Sequence, residues 1–291
     1  MVRIIERLDE IAGEYEALYC DLWGCLHDGV RAFPEAVDAL ARFKARGGAV
    51  ILLTNSPRPR ASVVRQLDGL GVPREVYDTV ISSGDAAQDA LVRGMFGSKV
   101  YHLGPERDLV FFEREDGGPV PVERVALEEA EAIVCTGLFD DRTETPEDYR
   151  ATILYGVNKG LKLLCANPDI VVDVGDKRIY CAGAIAQAYT EAGGESFYFG
   201  KPHAPIYALA RRWLEAAGYD GGPRAILVVG DGIHTDIAGA IGEDLDSVFV
   251  TGGLAAAETG TSGDAGPDAN LLDTFLKKAR LTPSAVIPYL R

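Results

Sequence analysis

Four short stretches of this 291-residue chain carry side chains able to do chemistry. Asp21 opens the string Asp21-Leu22-Trp23-Gly24-Cys25-Leu26-His27-Asp28-Gly29, and Thr54 opens Thr54-Asn55-Ser56-Pro57-Arg58. Further on come Gly200-Lys201-Pro202 and Gly230-Asp231-Gly232-Ile233-His234-Thr235-Asp236. In order they supply a carboxylate, a hydroxyl, a lysine and a pair of carboxylates, the residue types of a polar ligand site. Each has an ordinary structural reading as well. Asp21 suits a turn or cap at a strand end, and Thr54 and Asn55 suit a helix N-cap. Lys201 suits a solvated loop, and Asp231 with Asp236 suits a turn followed by a cap. The ordered combination is what points to a site, because three of the four stretches directly follow an apolar run.

Those runs are the elements that must position them. Residues 17–20, 49–53, 132–135, 161–165, 225–229 and 247–250 are short and apolar and end at Gly, Asp, Thr or Asn, as buried strands of a parallel sheet do. Between them lie helix-like stretches at 34–46, 59–70, 146–158 and 205–217, several with a first-turn proline or a following glycine. Strand alternating with helix makes an α/β fold with right-handed crossovers. In an open parallel sheet ligands bind outside the carboxyl ends of the strands, where the polar residues above fall. Residues 255–269 read as a surface loop, and a second loop lies around Asp116-Gly117-Gly118-Pro119. The acid-rich middle third has its own strand and helix pattern, which a second α/β module inserted into the first explains.

Composition bounds the function. Hydrophobic residues are 47% and charged residues 25%, ordinary for a folded globular protein. The 44 acids against 29 Lys and Arg leave a formal charge of −15, which repels nucleic acid phosphates and anionic membranes. The opening residues lack the uninterrupted apolar core of a signal peptide, and no run reaches the 18 or so apolar residues of a membrane span. A cytoplasmic protein is expected. Cys20, Cys25, Cys135, Cys165 and Cys181 are odd in number and lack C-x-x-C spacing, so reduced, buried thiols are expected.

Taken together, the motifs resemble the haloacid dehalogenase superfamily, in an order and spacing similar to its subclass IIA of nucleotide, sugar-phosphate and para-nitrophenyl phosphatases. The strings are Asp21-x-x-Gly24-x-Leu26-x-x-Gly29, Leu53-Thr54-Asn55-Ser56, Ser82-Ser83-Gly84, Asn167-Pro168-Asp169, Gly183-Ala184-Ile185, Gly200-Lys201-Pro202 and Gly230-Asp231 with Asp236. The resemblance implies a Rossmann-like parallel-sheet core, 1–84 and 181–291, with an inserted α/β cap domain at 85–180. A cap over the strand ends excludes water and selects the substrate.

It also implies roles. Asp21 would attack phosphorus and form an aspartyl-phosphate. Mg2+ would be held by Asp21, Asp231 and the backbone carbonyl of Trp23, with Asp236 as a further ligand or an orienting residue. Thr54, Asn55 and neighbouring N–H groups would bind phosphoryl oxygens, and Lys201 would offset the crowded charge. Asn167 and Asp169 would touch substrate or shape a turn. Arg58 either favours an anionic substrate or is a solvated surface arginine. The implied partner is a small phosphorylated metabolite, with neither nucleic acid nor membrane, and members of the subclass often form homodimers.

Trp23 departs from the pattern. The family usually has a second Asp there, which protonates the leaving group and later activates water. An indole does neither, and such help is worth about a hundred- to ten-thousandfold. Three readings follow: a Mg2+-dependent phosphatase, slow, or with His27, Asp28 or a cap residue taking over the proton, or acting on a substrate with a good leaving group; a protein that binds a phosphorylated ligand with little or no turnover; or carbon–halogen or carbon–phosphorus cleavage.

Overall fold

The computed structural model describes residues 2–174, 177–219, 221–263 and 265–291. Its strands in chain order are β1 (Arg3–Ile4), β2 (Ala17–Cys20), β3 (Ala49–Thr54), β4 (Thr79–Ser82), β5 (Lys99–Leu103), β6 (Glu123–Arg124) and β7 (Ala132–Cys135). They continue with β8 (Lys162–Cys165), β9 (Val171–Val174), β10 (Lys177–Tyr180), β11 (Glu195–Tyr198), β12 (Ile226–Gly230), β13 (Asp246–Val250) and β14 (Ala285–Ile287). All six apolar runs of the sequence form strands.

One sheet has the order β1-β14-β13-β12-β2-β3-β4. Every residue of β2, β3 and β12 is buried, the pattern of parallel strands covered on both faces. β2 lies between β12 and β3 and is parallel to both, with Cys20 opposite Val229 on one side and Leu52 on the other. The connections leave β2 in opposite directions, towards β3 and β4 on one side and towards β12, β13 and β14 on the other. That reversal is the switch point at which open α/β sheets bind ligands.

A second sheet has the order β11-β8-β7-β5-β6, and β9 pairs antiparallel with β10. Its core gathers Ile133, Leu163, Ile185 and Tyr189, and the Tyr189 hydroxyl donates to the Leu161 carbonyl at 2.6 Å. The chain divides into two units, Met1–Thr54, Gln66–Ile81 and Tyr207–Arg291 in the first and Asn55–Arg65 and Ser82–Ile206 in the second. The second unit is therefore wider than the 85–180 expected for the cap. The reason is hydrogen bonding: β11 pairs in parallel with β8, from Glu195 opposite Lys162 to Tyr198 opposite Cys165, so the chain leaves the second sheet only after residue 198.

The helices expected from the sequence are present at Pro34–Ala45, Arg60–Gly69 and Ala204–Ala216, and the fourth is a 3-10 turn, Pro146–Tyr149, that runs into the helix Arg150–Lys159. The stretch 255–269 is not wholly a loop. It contains the short helix Ala256–Thr259, and its last residue begins the helix Ala269–Ala279, capped by the Asp268 carboxylate on the N–H groups of Asn270 and Leu271. Asp264 lies outside the described residues. All five cysteines are buried and free.

Candidate active site

In the first unit, register alone brings three of the singled-out residues to one end of the sheet. Cys20 is level with Val229 and Leu52, so one step further Asp21 stands beside Gly230-Asp231 and Leu53-Thr54. The Asp21 N–H extends the ladder by donating to the Val229 carbonyl at 2.9 Å. Asp21, Thr54 and Asp231 are all buried.

Ligand atoms of Asp21, Cys25 and Asp231 lie within 4.8 Å of one another. Two carboxylates this close repel each other, and a cation between them removes that cost. Burial, reinforced by the negative charges of Asp231 and Asp21, pushes the Cys25 thiol well above its ordinary value. The cluster's carboxylate oxygens suit a hard divalent cation that takes oxygen ligands, whereas a neutral thiol is a poor ligand for one. Backbone groups help to seat Asp231. The Leu254 N–H donates to its Oδ2 at 2.8 Å. A Cβ on Gly24 or on Gly253 would stand 2.0 Å from that same oxygen, so only glycine fits at either place.

Asp236 is not part of that cluster. It sits on the wide π-type turn Ile233–Ile237, and its Oδ2 accepts from the Gly232 N–H at 3.1 Å and from the Thr235 hydroxyl at 3.4 Å. Its visible work is to hold the loop that carries Asp231.

Within the Asp21–Gly29 loop, the two residues offered in place of the expected acid, His27 and Asp28, are both engaged by the backbone. His27 is fully buried; its Nδ1 accepts from the Gly29 N–H at 3.0 Å, so the ring proton belongs on Nε2. Its ring meets the Trp23 indole edge-on, with centroids 5.1 Å apart. The Asp28 Oδ1 accepts from the N–H groups of Val30 and Arg31 at 2.9 and 2.8 Å, an Asx turn, and those backbone bonds with Arg31 outweigh partial burial and hold its carboxyl below the usual range. Neither residue has the geometry of a free general acid, and both shape the loop. Trp23 is partly exposed and lies over Gly29, where a Cβ would stand 2.3 Å from Cη2.

The second unit holds the remaining candidates. Asn55 spends both amide hydrogens, on the Asp169 Oδ1 at 2.8 Å and the Lys201 carbonyl at 3.0 Å, while its Oδ1 accepts the Lys201 N–H at 2.7 Å. Its side chain is a clasp on Lys201 and Asp169, leaving only its backbone N–H for a phosphate role. The Asn167 Oδ1 accepts the Asp169 N–H at 3.0 Å, as in an Asx turn. Lys201 is buried. Arg58 is half-buried rather than solvated: burial lowers its pKa while the nearby Asp108 raises it.

Sequence reasoning missed Cys25 as a member of the carboxylate cluster, the Leu254 N–H that holds Asp231, and Ser83. The Ser83 hydroxyl is fully buried without a hydrogen-bond partner among the described residues, 2.7 Å from where a Cβ on Gly200 would stand. No polarity pattern marks Leu254, because a backbone group does the work. Ser83 lay inside a quoted string and had the signal of a helix start before it.

Fold and site together define an α/β protein with an open parallel sheet and paired acidic groups at the carboxyl ends of its central strands. A family model described as haloacid dehalogenase-like hydrolase matches residues 18–116, and a second, HAD-hydrolase-like, matches residues 198–278. The crystal structure of a hydrolase of the haloacid dehalogenase-like family from Brucella suis 1330 is 40% identical, with a TM-score of 0.85 over 99% of this chain and all of that one. The 5'-nucleotidase YutF of Bacillus subtilis is 25% identical over 250 residues, covering 84% of this chain and 90% of its own length. The structure of a glycerol phosphate phosphatase from Mycobacterium tuberculosis in complex with calcium is 25% identical with a TM-score of 0.61, covering 84% of this chain and 68% of that one. The chain belongs to the haloacid dehalogenase-like hydrolases.

Proposed function

We propose that this protein is a Mg2+-dependent phosphohydrolase that cleaves a small phosphate ester through an aspartyl-phosphate on Asp21. The observation that carries the reading is the buried approach of Asp21 and Asp231 at the ends of adjacent parallel strands, with ligand atoms within 4.8 Å. The names of two relatives, a 5'-nucleotidase and a glycerol phosphate phosphatase crystallised with calcium, support both the reaction class and a divalent cation.

Asp21 and Asp231, with the Trp23 backbone carbonyl, would hold the cation, which when bound neutralises the phosphoryl oxygens and the two carboxylates. Asp21 attacks phosphorus in line. Thr54 holds a phosphoryl oxygen, and Lys201, fixed by Asn55, offsets negative charge on the transferring group. Asp236 orients the Asp231 loop. Asn167 and Asp169 are assigned to substrate or to the support of Lys201. A small phosphorylated metabolite as substrate, a homodimer and a reducing cytoplasmic setting, which suits five free buried thiols, belong to the same proposal. Among the described residues no helix is long and apolar enough to cross a membrane.

The test is phosphate release from a panel of phosphate esters, with Mg2+ and with chelator. Release should require Mg2+ and fall by at least about a thousandfold in Asp21→Asn. Release that survives that substitution contradicts the reading. One observation favours a second reading, a phospholigand-binding protein with little turnover: in the loop after Asp21, Trp23 stands where the resemblance expects an acid. Tight binding of the esters without release in the same panel would select it.

A further inference from the structure

We infer that Trp23 sets the substrate class of the reaction proposed above, on which this inference rests: phosphate esters whose leaving group departs unprotonated as a weakly basic, planar anion, such as aryl and enol phosphates, rather than simple alkyl phosphates.

The argument begins with the proton. When Asp21 attacks, a bond forms between its carboxylate oxygen and phosphorus, and the phosphorus–oxygen bond to the leaving group breaks with its electron pair on that oxygen. The oxygen must be protonated as it leaves or carry the charge away. Among the described residues of the Asp21–Gly29 loop no side chain is placed to donate. The indole of Trp23 has only a weak N–H. The Cys25 thiol is buried beside two carboxylates. His27 is fully enclosed, with Nδ1 committed to the Gly29 N–H. Asp28 caps its own turn and faces Arg31 at 3.5 Å. With no donor in the loop that carries the nucleophile, the leaving group is inferred to keep its electron pair and take its proton from water afterwards; a cap residue acting as donor would instead flatten the dependence on leaving group tested below. In the second step a water oxygen attacks phosphorus, the bond to Asp21 breaks, and the water protons pass to phosphate and solvent, regenerating the carboxylate.

The second part of the argument is shape. Trp23 is not a loose surface side chain. It is pinned on one side by the bare α-carbon of Gly29, where a Cβ would overlap its ring, and on another by the His27 ring at 5.1 Å. What remains exposed is a fixed aromatic surface two residues from the nucleophile. Such a surface favours a flat leaving group by stacking, with little entropy lost because it is already held. Rigid aromatic surface and missing acid select the same substrates.

The experiment is kcat/KM with Mg2+ for phenyl phosphates of graded leaving-group basicity, from 4-nitrophenyl to unsubstituted phenyl, with glycerol phosphate as the alkyl member. For the native protein the value should fall by about a hundred- to ten-thousandfold along the series, the range a general acid would otherwise recover. Trp23→Asp should flatten the series by raising its poor members. Trp23→Phe should keep the steepness, which guards against a Trp23→Asp protein that fails to fold. A native series that is flat, with glycerol phosphate cleaved as well as 4-nitrophenyl phosphate, overturns this inference and leaves the phosphohydrolase reading standing. No release from any member, in native protein and Asp21→Asn alike, overturns that reading and this inference with it.

Discussion

At the scale of single residues, two glycines do what no side chain could. Gly24, at φ +74°, lets Asp231 approach the loop after Asp21, and Gly29, at φ +83°, lets the Trp23 ring pack against its bare α-carbon. Both torsions are left-handed, where a Cβ is costly even in open space. Gly29→Ala should therefore destabilise the protein by about 2–4 kcal/mol, combining left-handed strain with overlap on the indole. Urea unfolding measures it. In a Trp23→Ala background the overlap part disappears and the strain part remains, so the cost of Gly29→Ala should drop there. An equal cost in both backgrounds would mean that the indole does not rest on Gly29. The residue scale also explains why His27 and Asp28 suggested acid–base candidates from sequence and are loop fasteners in the structure. Their types were legible, whereas hydrogen bonds to backbone N–H groups two and three residues away were not.

At the scale of elements, the second sheet carries a partly buried polar cluster at the ends of β5 and β7. His102 Nε2 lies 2.9 Å from the Thr136 hydroxyl, and Asp108, close by, is buried. Burial pushes Asp108 up to about 6 and His102 down to about 4. Asp108 binds its proton more tightly folded than unfolded, so its contribution is present below about pH 4 and lost as pH rises to about 6. His102 works in the opposite sense. Its proton is excluded by folding, so its contribution is lost as pH falls from about 6.5 to about 4. The two slopes oppose each other in the native protein. Asp108→Asn should remove one of them: the stability of the variant relative to the native protein should grow from about pH 4 to 6 and at pH 7 reach about 3 kcal/mol at most. Parallel pH profiles for the two proteins would show that Asp108 is not held up by burial.

The same scale shows what the sequence reveals and what it conceals. Fully buried strands such as β2, β3 and β12 are continuous apolar runs and are readable. β11 begins Glu195-Ser196 and β5 is interrupted by Lys99 and His102, because edges and half-exposed faces mix polar residues into a strand. Missing β11 is what displaced the expected cap boundary from the observed one. The helix Ser83–Val92 was announced by a capping box, with Ser82 and Asp85 bonding each other's backbone, but its small residues give a weak apolar stripe. Of the candidate site, Asp21, Thr54 and Asp231 were legible because strand ends announce them. The Asn55 clasp was not, since its partners Asp169 and Lys201 are 114 and 146 residues away.

At the scale of the whole molecule, the acidic balance takes on a specific meaning. A chain with a formal charge of −15 repels an anionic substrate unless cations intervene. Two of its acids converge at the end of the central sheet, and in the account proposed above a cation held between them is what admits a phosphate. Family models match near both ends of the chain, at 18–116 and 198–278, and the middle of the chain forms most of the second unit, where substrate choice is expected to reside. The claim on which all of this depends is that Asp21 carries the phosphoryl group. The most direct measurement is mass spectrometry of peptides from protein quenched in acid during turnover of 4-nitrophenyl phosphate with Mg2+. One phosphoryl group should be found on the peptide containing Asp21 and be missing from Asp21→Asn; phosphate release without any such adduct, continuing unabated in Asp21→Asn, would contradict the account.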